Sequence, residues 1–151
     1  MNLITPLLQP ANVVADLQTG SKKRLFEQAA QVFQTSHGCS PAEVFDSLLS
    51  REKLGSTALG YGIAIPHGRI KHLKDAACAF FRLSAAIDFD APDGQPVDLA
   101  FILLAPSAAT DLHLQILGEL AAMFSDEDFR AQLRVAPDSA SLHALITTWT
   151  P

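Results

Sequence analysis

Cysteine is scarce in this chain. Cys39 and Cys78 are the only two among 151 residues, and they lie far apart. They make neither a metal-ligand spacing nor a disulfide framework, which fits a reducing cytosol. Long apolar runs are missing as well. The longest, Leu99 to Ala105, falls far short of the roughly 20 residues that a membrane-spanning helix needs. The N-terminal stretch MNLITPLLQPANVV carries Pro6 and Pro10, and no basic residue precedes Lys22. A secretory signal is therefore not expected. Positive charge is outweighed: 11 Lys and Arg face 16 Asp and Glu, for a net charge of −5. That balance argues against nucleic acid as the main partner. Internal repeats, low-complexity tracts and interdomain linkers are absent, so residues 1–151 are expected to form a single domain.

The common catalytic signatures are missing too. There is no GxxxxGK[ST], GxGxxG or HExxH pattern, which removes the phosphate loop, the dinucleotide fingerprint and the zinc-protease helix. No serine stands in a GxSxG elbow, so an α/β-hydrolase is not expected. The carboxylates are scattered and pair into no glycosidase arrangement.

What is present is a globular composition, 48% hydrophobic and 18% charged. Residues 3 to 17 are expected to be a short extended or turn-rich lead-in. Ser21 then caps an amphipathic helix from Lys22 to about Thr35, with Leu25, Ala29, Val32 and Phe33 at helical spacing and Gly38 as its stop. Ser40-Pro41-Ala42-Glu43 predicts a second start: a capping serine, a first-turn proline, and a glutamate closing a capping box. That helix runs to about Lys53. Ala76 to Leu83 and Ala86 to Asp90 are expected as extended pieces, and Ala91-Pro92-Asp93-Gly94 as a turn. The apolar stretch Val97 to Ala105 predicts a central strand covered on both faces, ended by Pro106. Asp111 is expected to cap a helix lined by Leu112, Ile116, Leu120 and Met123. Ser125-Asp126 starts a short helix to about Arg134. Asp138 or Ser139 starts the last one. Helices come first and last with strands between, which predicts an α/β fold: one mixed β-sheet flanked by helices on both faces, a three-layer α/β/α sandwich.

The stretch Arg51 to Arg69, REKLGSTALGYGIAIPHGR, holds the chemistry. His67 stands between Pro66 and Gly68 straight after the short apolar strand expected at Ile63-Ala64-Ile65, in backbone that Pro66 stiffens and Gly68 lets turn. Between Arg51 and Lys74 lie Arg51, Lys53, Arg69, Lys71 and Lys74, against one acid, Glu52. In an acidic protein this is a local positive island suited to a phosphoryl group. Ser56 and Thr57 add hydroxyl donors, and the glycine-rich loop through Gly68 adds backbone N–H groups. Neutral imidazole is a competent nucleophile near pH 7 and can itself carry phosphorus. Arg51 also suits the last turn of its helix as a cation, so a phosphate contact and a dipole role both stand. His113 falls in the first turn of the Asp111 helix, off its apolar stripe, and is either a second site histidine or a surface residue. A metal held by His67 and His113 lacks an evident third ligand. His37 is expected at a frayed helix end; His72 and His143 are expected to be solvated or half-buried.

REKLGSTALGYGIAIPHGR, the later FDAPDGQPVDLAFILLAP and the DLHLQILGELA helix together resemble the enzyme IIA domain of the fructose/mannitol class of the bacterial phosphoenolpyruvate-dependent phosphotransferase system. The similarity spans essentially the whole chain, and is strongest to the free-standing nitrogen-regulatory branch. The resemblance implies a cytoplasmic phosphocarrier that takes a phosphoryl group from a phosphohistidine on a small histidine-containing phosphocarrier protein. It implies His67 as the phosphorylated residue, attacking through Nε2, with His113 as auxiliary histidine and Arg51 as active-site arginine. No cofactor, metal or nucleotide is implied, nor membrane insertion. The acceptor is either a set of regulatory protein targets or, alternatively, the sugar-specific domain of a fructose or mannitol permease. The REKLGST to GIAIPHG spacing, and a chain ending at Pro151 without a fused carrier or permease domain, favour regulation. An apolar rim beside the site is expected to receive partners. Leu59, Tyr61 and Phe81 are candidates for it, with core packing the alternative use of Phe81.

Overall fold

In the computed structural model, which describes residues 2–108 and 111–151, the order of elements is β1 (Val13–Leu17), α1 (Lys22–His37), α2 (Pro41–Lys53), β2 (Ala58–Gly60), β3 (Ile63–Ala64), β4 (His67–Ile70), β5 (Ala77–Ile87), β6 (Val97–Pro106), α3 (Asp111–Ser125), α4 (Glu127–Val135) and α5 (Ser139–Thr148). The sheet is mixed. Its path runs β1-β5-β6-β3-β2, with β4 also paired to β6. β5 and β6 are antiparallel, while β1 lies parallel to β5.

β6 is the spine. Its residues alternate between two apolar layers: Ala100, Ile102 and Leu104 face one, Leu99, Phe101 and Leu103 the other. Leu25, Phe26, Phe33, Val44 and Leu48 of α1 and α2 fill the first layer. Ile116, Leu120 and Met123 of α3, Phe129 and Leu133 of α4 and Leu142 and Ile146 of α5 fill the second. Helices on both faces explain why β6 is almost continuously apolar. Phe81 lies fully buried in the first layer and belongs to the core, not to a partner surface.

Caps set most helix ends. Ser21 Oγ accepts from the Arg24 N–H, and Gly38 closes α1 in the left-handed region at φ 68°. Asp126 and Asp138 cap α4 and α5. Ser40 Oγ accepts from the Glu43 N–H, but the expected box does not close. The Glu43 carboxylate accepts instead from the Lys71 N–H at 3.0 Å, tying α2 to the end of β4. Asp111 is the first helical residue of α3 and not the residue before it.

Three extended segments differ from expectation. The lead-in contains a true strand, β1, because Val13 and Val14 pair with Phe80 and Phe81. The two pieces expected on either side of residue 84 are one strand, β5, with a register shift between Arg82 and Ile87. Pro66-His67-Gly68 is not a turn. β3 and β4 run parallel to β6 in one unbroken register, Ile63 opposite Leu99 and His67 opposite Leu103. The strand is interrupted at Ile65-Pro66, where proline has no N–H to give the ladder, although the Pro66 carbonyl still accepts from Leu103 N at 3.0 Å.

Candidate active site

Strand alternation aims His67. Ile63 and Ile65 point into the layer covered by α3 to α5, and period two carries His67 to that same face. Gly68 points the other way, against α2. A Cβ on it would lie 3.3 Å from the Ser47 carbonyl carbon and 3.1 Å from Ser47 Cβ. Glycine at 68 is thus what lets α2 sit down on β4, and α2 carries Arg51.

His67 Nδ1 lies 2.8 Å from the Ile65 carbonyl oxygen. A carbonyl only accepts, so Nδ1 holds the proton and the Nε2 lone pair is free. The ring is half-buried. Burial is the largest influence on its proton affinity and lowers it. The Ile65 carbonyl raises it, the Arg51 guanidinium lowers it and the Glu52 carboxylate raises it, leaving a net depression. His67 is therefore a neutral base at pH 7.

His113 faces it from α3, with ring centroids 5.7 Å apart and planes inclined by 56°. It is buried, at 8% exposure, and not the surface residue that its position off the apolar stripe allowed. Aliphatic periodicity does not register a ring packed against another imidazole across the sheet end. Burial again lowers its proton affinity most, followed by His67 and Arg69. Its Nδ1 is buried and has no hydrogen-bond partner among the described residues, and an anion beside the two rings would satisfy it. Arg51, in the last turn of α2, donates from Nη1 to the Gly55 carbonyl at 2.9 Å. Arg69 donates to the Ser107 carbonyl at 3.1 Å. Of the basic island, Arg51 thus acts on His67 and Arg69 on His113.

The two hydroxyls expected to meet phosphate are engaged within the protein. Ser56 Oγ donates to the Phe89 carbonyl at 2.7 Å. Thr57, buried at 6% exposure, donates from Oγ1 to Glu52 Oε1 at 2.6 Å. Each has given its one proton to a protein acceptor. Glu52 itself, counted at first only as the odd acid in a basic stretch, is buried and anchors the loop before His67. A carboxylate at the negative end of a helix is the sequence signal that marks it. His37 ends α1, His72 is exposed, and half-buried His143 donates to the Leu8 carbonyl at 2.9 Å. Among the described residues, no three His, Cys, Asp or Glu side chains are grouped to hold a metal ion. Nor is any helix among them long and apolar enough to cross a membrane.

Residues 6–149 match the family model described as "Phosphoenolpyruvate-dependent sugar phosphotransferase system, EIIA 2". The nitrogen regulatory protein of Pseudomonas aeruginosa is 43% identical over 141 residues, covering 93% of this chain and 92% of that one. The crystal structure of nitrogen regulatory protein IIA-Ntr from Neisseria meningitidis superposes with a TM-score of 0.92 at 46% identity, covering 97% of this chain and 100% of that one. IIA mannitol from Escherichia coli shares the fold, with a TM-score of 0.77 over 91% of this chain and 97% of that one, at 21% identity. The chain belongs to the EIIA 2 family of the phosphoenolpyruvate-dependent sugar phosphotransferase system.

Proposed function

We propose that this protein, read as a single domain over residues 1–151, is a cytoplasmic phosphocarrier of the regulatory branch. It accepts a phosphoryl group on His67 from a phosphohistidine of a small histidine-containing phosphocarrier protein. The observation that carries this reading is the oriented, neutral imidazole: Nδ1 tied to the Ile65 carbonyl, Nε2 free and the ring facing His113.

In the transfer, the Nε2 lone pair forms a bond to phosphorus as the donor's P–N bond breaks in line. The bonding pair returns to the donor imidazole. Negative charge spreads over the three equatorial oxygens. Arg51, a His113 N–H and backbone N–H groups near Gly68 stabilise it in this reading. The product keeps its proton on Nδ1, donated to the Ile65 carbonyl, and has a labile P–N bond, so the protein both accepts and donates. Leu112 and Leu114, 50% and 65% exposed, flank His113 on α3. They supply the apolar rim for a transient partner; Leu59 and Tyr61, also exposed, lie on the β2–β3 hairpin toward the start of β6, where the Tyr61 carbonyl accepts from Arg134 of α4.

The relatives at 43% and 46% identity are nitrogen regulatory proteins, which supports control of protein targets over delivery of phosphate to a fructose or mannitol permease. The test is incubation with phosphoenolpyruvate, enzyme I and a histidine-containing carrier, followed by mass spectrometry of the intact chain. One acid-labile, base-stable phosphate on His67, lost in His67→Ala, is expected. A base-labile ester, or labelling that survives His67→Ala, overturns the assignment. Rapid onward transfer to a permease sugar domain, with no phosphorylation-dependent target, would move the protein to the transport branch.

A further inference from the structure

Glu52 and Lys22 break the electrostatic preference of their own helices. Lys22 is the first residue of α1, at the positive end of its dipole, and Glu52 lies in the last turn of α2, at the negative end. They are nevertheless paired at 3.1 Å, with the Glu52 side chain only 2% exposed. Burying an ion pair seldom adds stability over apolar packing. A buried carboxylate of the wrong sign for its helix end, held by a half-buried lysine that also lies 3.6 Å from the exposed Asp90 carboxylate, points to a task beyond folding.

The contacts indicate that task. Glu52 Oε1 accepts from Thr57 Oγ1 at 2.6 Å, and Oε2 accepts from the Thr57 N–H at 3.1 Å. Thr57 is thereby gripped at both side chain and backbone. Its carbonyl accepts from Ile65 N at 3.0 Å, and the Ile65 carbonyl accepts the His67 Nδ1 proton. This link spans the interruption at Pro66, where β6 cannot by itself hold the peptide. Lys22 also lies 4.8 Å over the Phe89 ring, and Ser56 donates to the Phe89 carbonyl, so the same loop is pinned from its other side.

We propose that the Lys22–Glu52 pair, with its buried carboxylate, is a positioning element for phosphoryl transfer: through Thr57 it fixes the Ile65 carbonyl that selects the Nδ1–H tautomer of His67. Glu52 touches neither phosphate nor partner; it acts on the orientation of the nucleophile. The inference rests on His67 being the phosphorylated residue.

The test uses the full chain with histidine labelled in its ring nitrogens. NMR reads the His67 tautomer, and phosphorylation by a phosphorylated histidine-containing carrier is followed across carrier concentrations. In Glu52→Gln, kcat is expected to fall by about 10- to 100-fold with KM little changed, as when a supporting contact is lost. The His67 signals are expected to shift from one tautomer to a mixture. Lys22→Met and Thr57→Val should move both readouts the same way, and Glu52→Asp should recover part of the loss. These variants also decide the matter if Glu52→Gln does not fold. A folded Glu52→Gln or Thr57→Val protein with the wild-type tautomer and wild-type kcat overturns the proposal. If the wild-type chain takes no phosphate on His67, the functional reading fails, while the tautomer measurement still reports on the positioning contact.

Discussion

At the scale of single residues, the depressed proton affinity of His67 has a measurable consequence. Its ring stays neutral to below the ordinary histidine value of 6.5. The rate of phosphorylation should therefore hold steady as pH falls through 6.5 and decline only in more acid solution. An inflection above 6.5 that His67 alone explains would contradict the half-buried environment beside Arg51. Stability follows the same sign. In the unfolded chain the rings of His67 and His113 regain ordinary affinity, so between the depressed and ordinary values the unfolded state binds more protons. Their contribution is fully present above pH 6.5 and is lost as pH falls through that window. Urea midpoints measured on either side of it should differ less in a His67→Gln, His113→Gln double variant than in the wild type. Arg51→Ala and His113→Ala should each slow transfer by about 10- to 1,000-fold, the range for losing one charge-stabilising donor. Unchanged single-turnover rates would reduce both to structural residues. His67 and Arg51 stood out in the sequence because their signals are local: a histidine between proline and glycine, a cation at a helix end. The burial of His113 and the engagement of the Ser56 and Thr57 hydroxyls were not legible. Each depends on what another segment places opposite: His67 of β4 for His113, the Phe89 carbonyl past the end of β5 for Ser56, and Glu52 of α2 for Thr57.

At the scale of elements, the site depends on how closely α2 approaches β4. Gly68→Ala should push α2 away, because the nearest obstacles include Ser47 Cβ and the Ser47 carbonyl carbon and not only a movable side-chain tip. We expect a loss of about 1–3 kcal/mol, typical of overpacking, read as a lower urea midpoint, together with slower phosphorylation because Arg51 moves with its helix. A variant that matches the wild type in both would show that α2 adjusts freely. The helices were readable because caps and 3.6-residue periodicity lie within each segment. β3 showed only as the short apolar strand Ile63-Ala64-Ile65, and β2 and β4 were not readable, since they run three and four residues and show no alternation long enough to detect. The register past Pro66 is imposed by β6, which lies some thirty residues downstream.

For the whole molecule, phosphorylation is mainly a change of charge. A phosphate adds roughly −1.5 to −2 at pH 7 to a chain already at −5, and on the proposed His67 site it would do so where Arg51 and Arg69 stand. Backbone amide shifts on phosphorylation should therefore be confined to α2, β4 and the start of α3. Regulatory targets should distinguish the phosphorylated chain from His67→Ala; equal capture of wild type, His67→Ala, His67→Asp and phosphorylated protein would remove the charge switch.

The unbroken register of β3 and β4 along β6 also bears on how the protein comes into being. His67 meets Leu103 of β6, and His113 of α3 comes to face it, only across long stretches of intervening chain. Such non-local closures are the slow steps of folding. In a refolding experiment, far-ultraviolet helix signal should return first and phosphate acceptance last. A chain interrupted partway would then hold most of its helices yet be silent toward its carrier, so no half-made copy would compete for phosphate with finished ones.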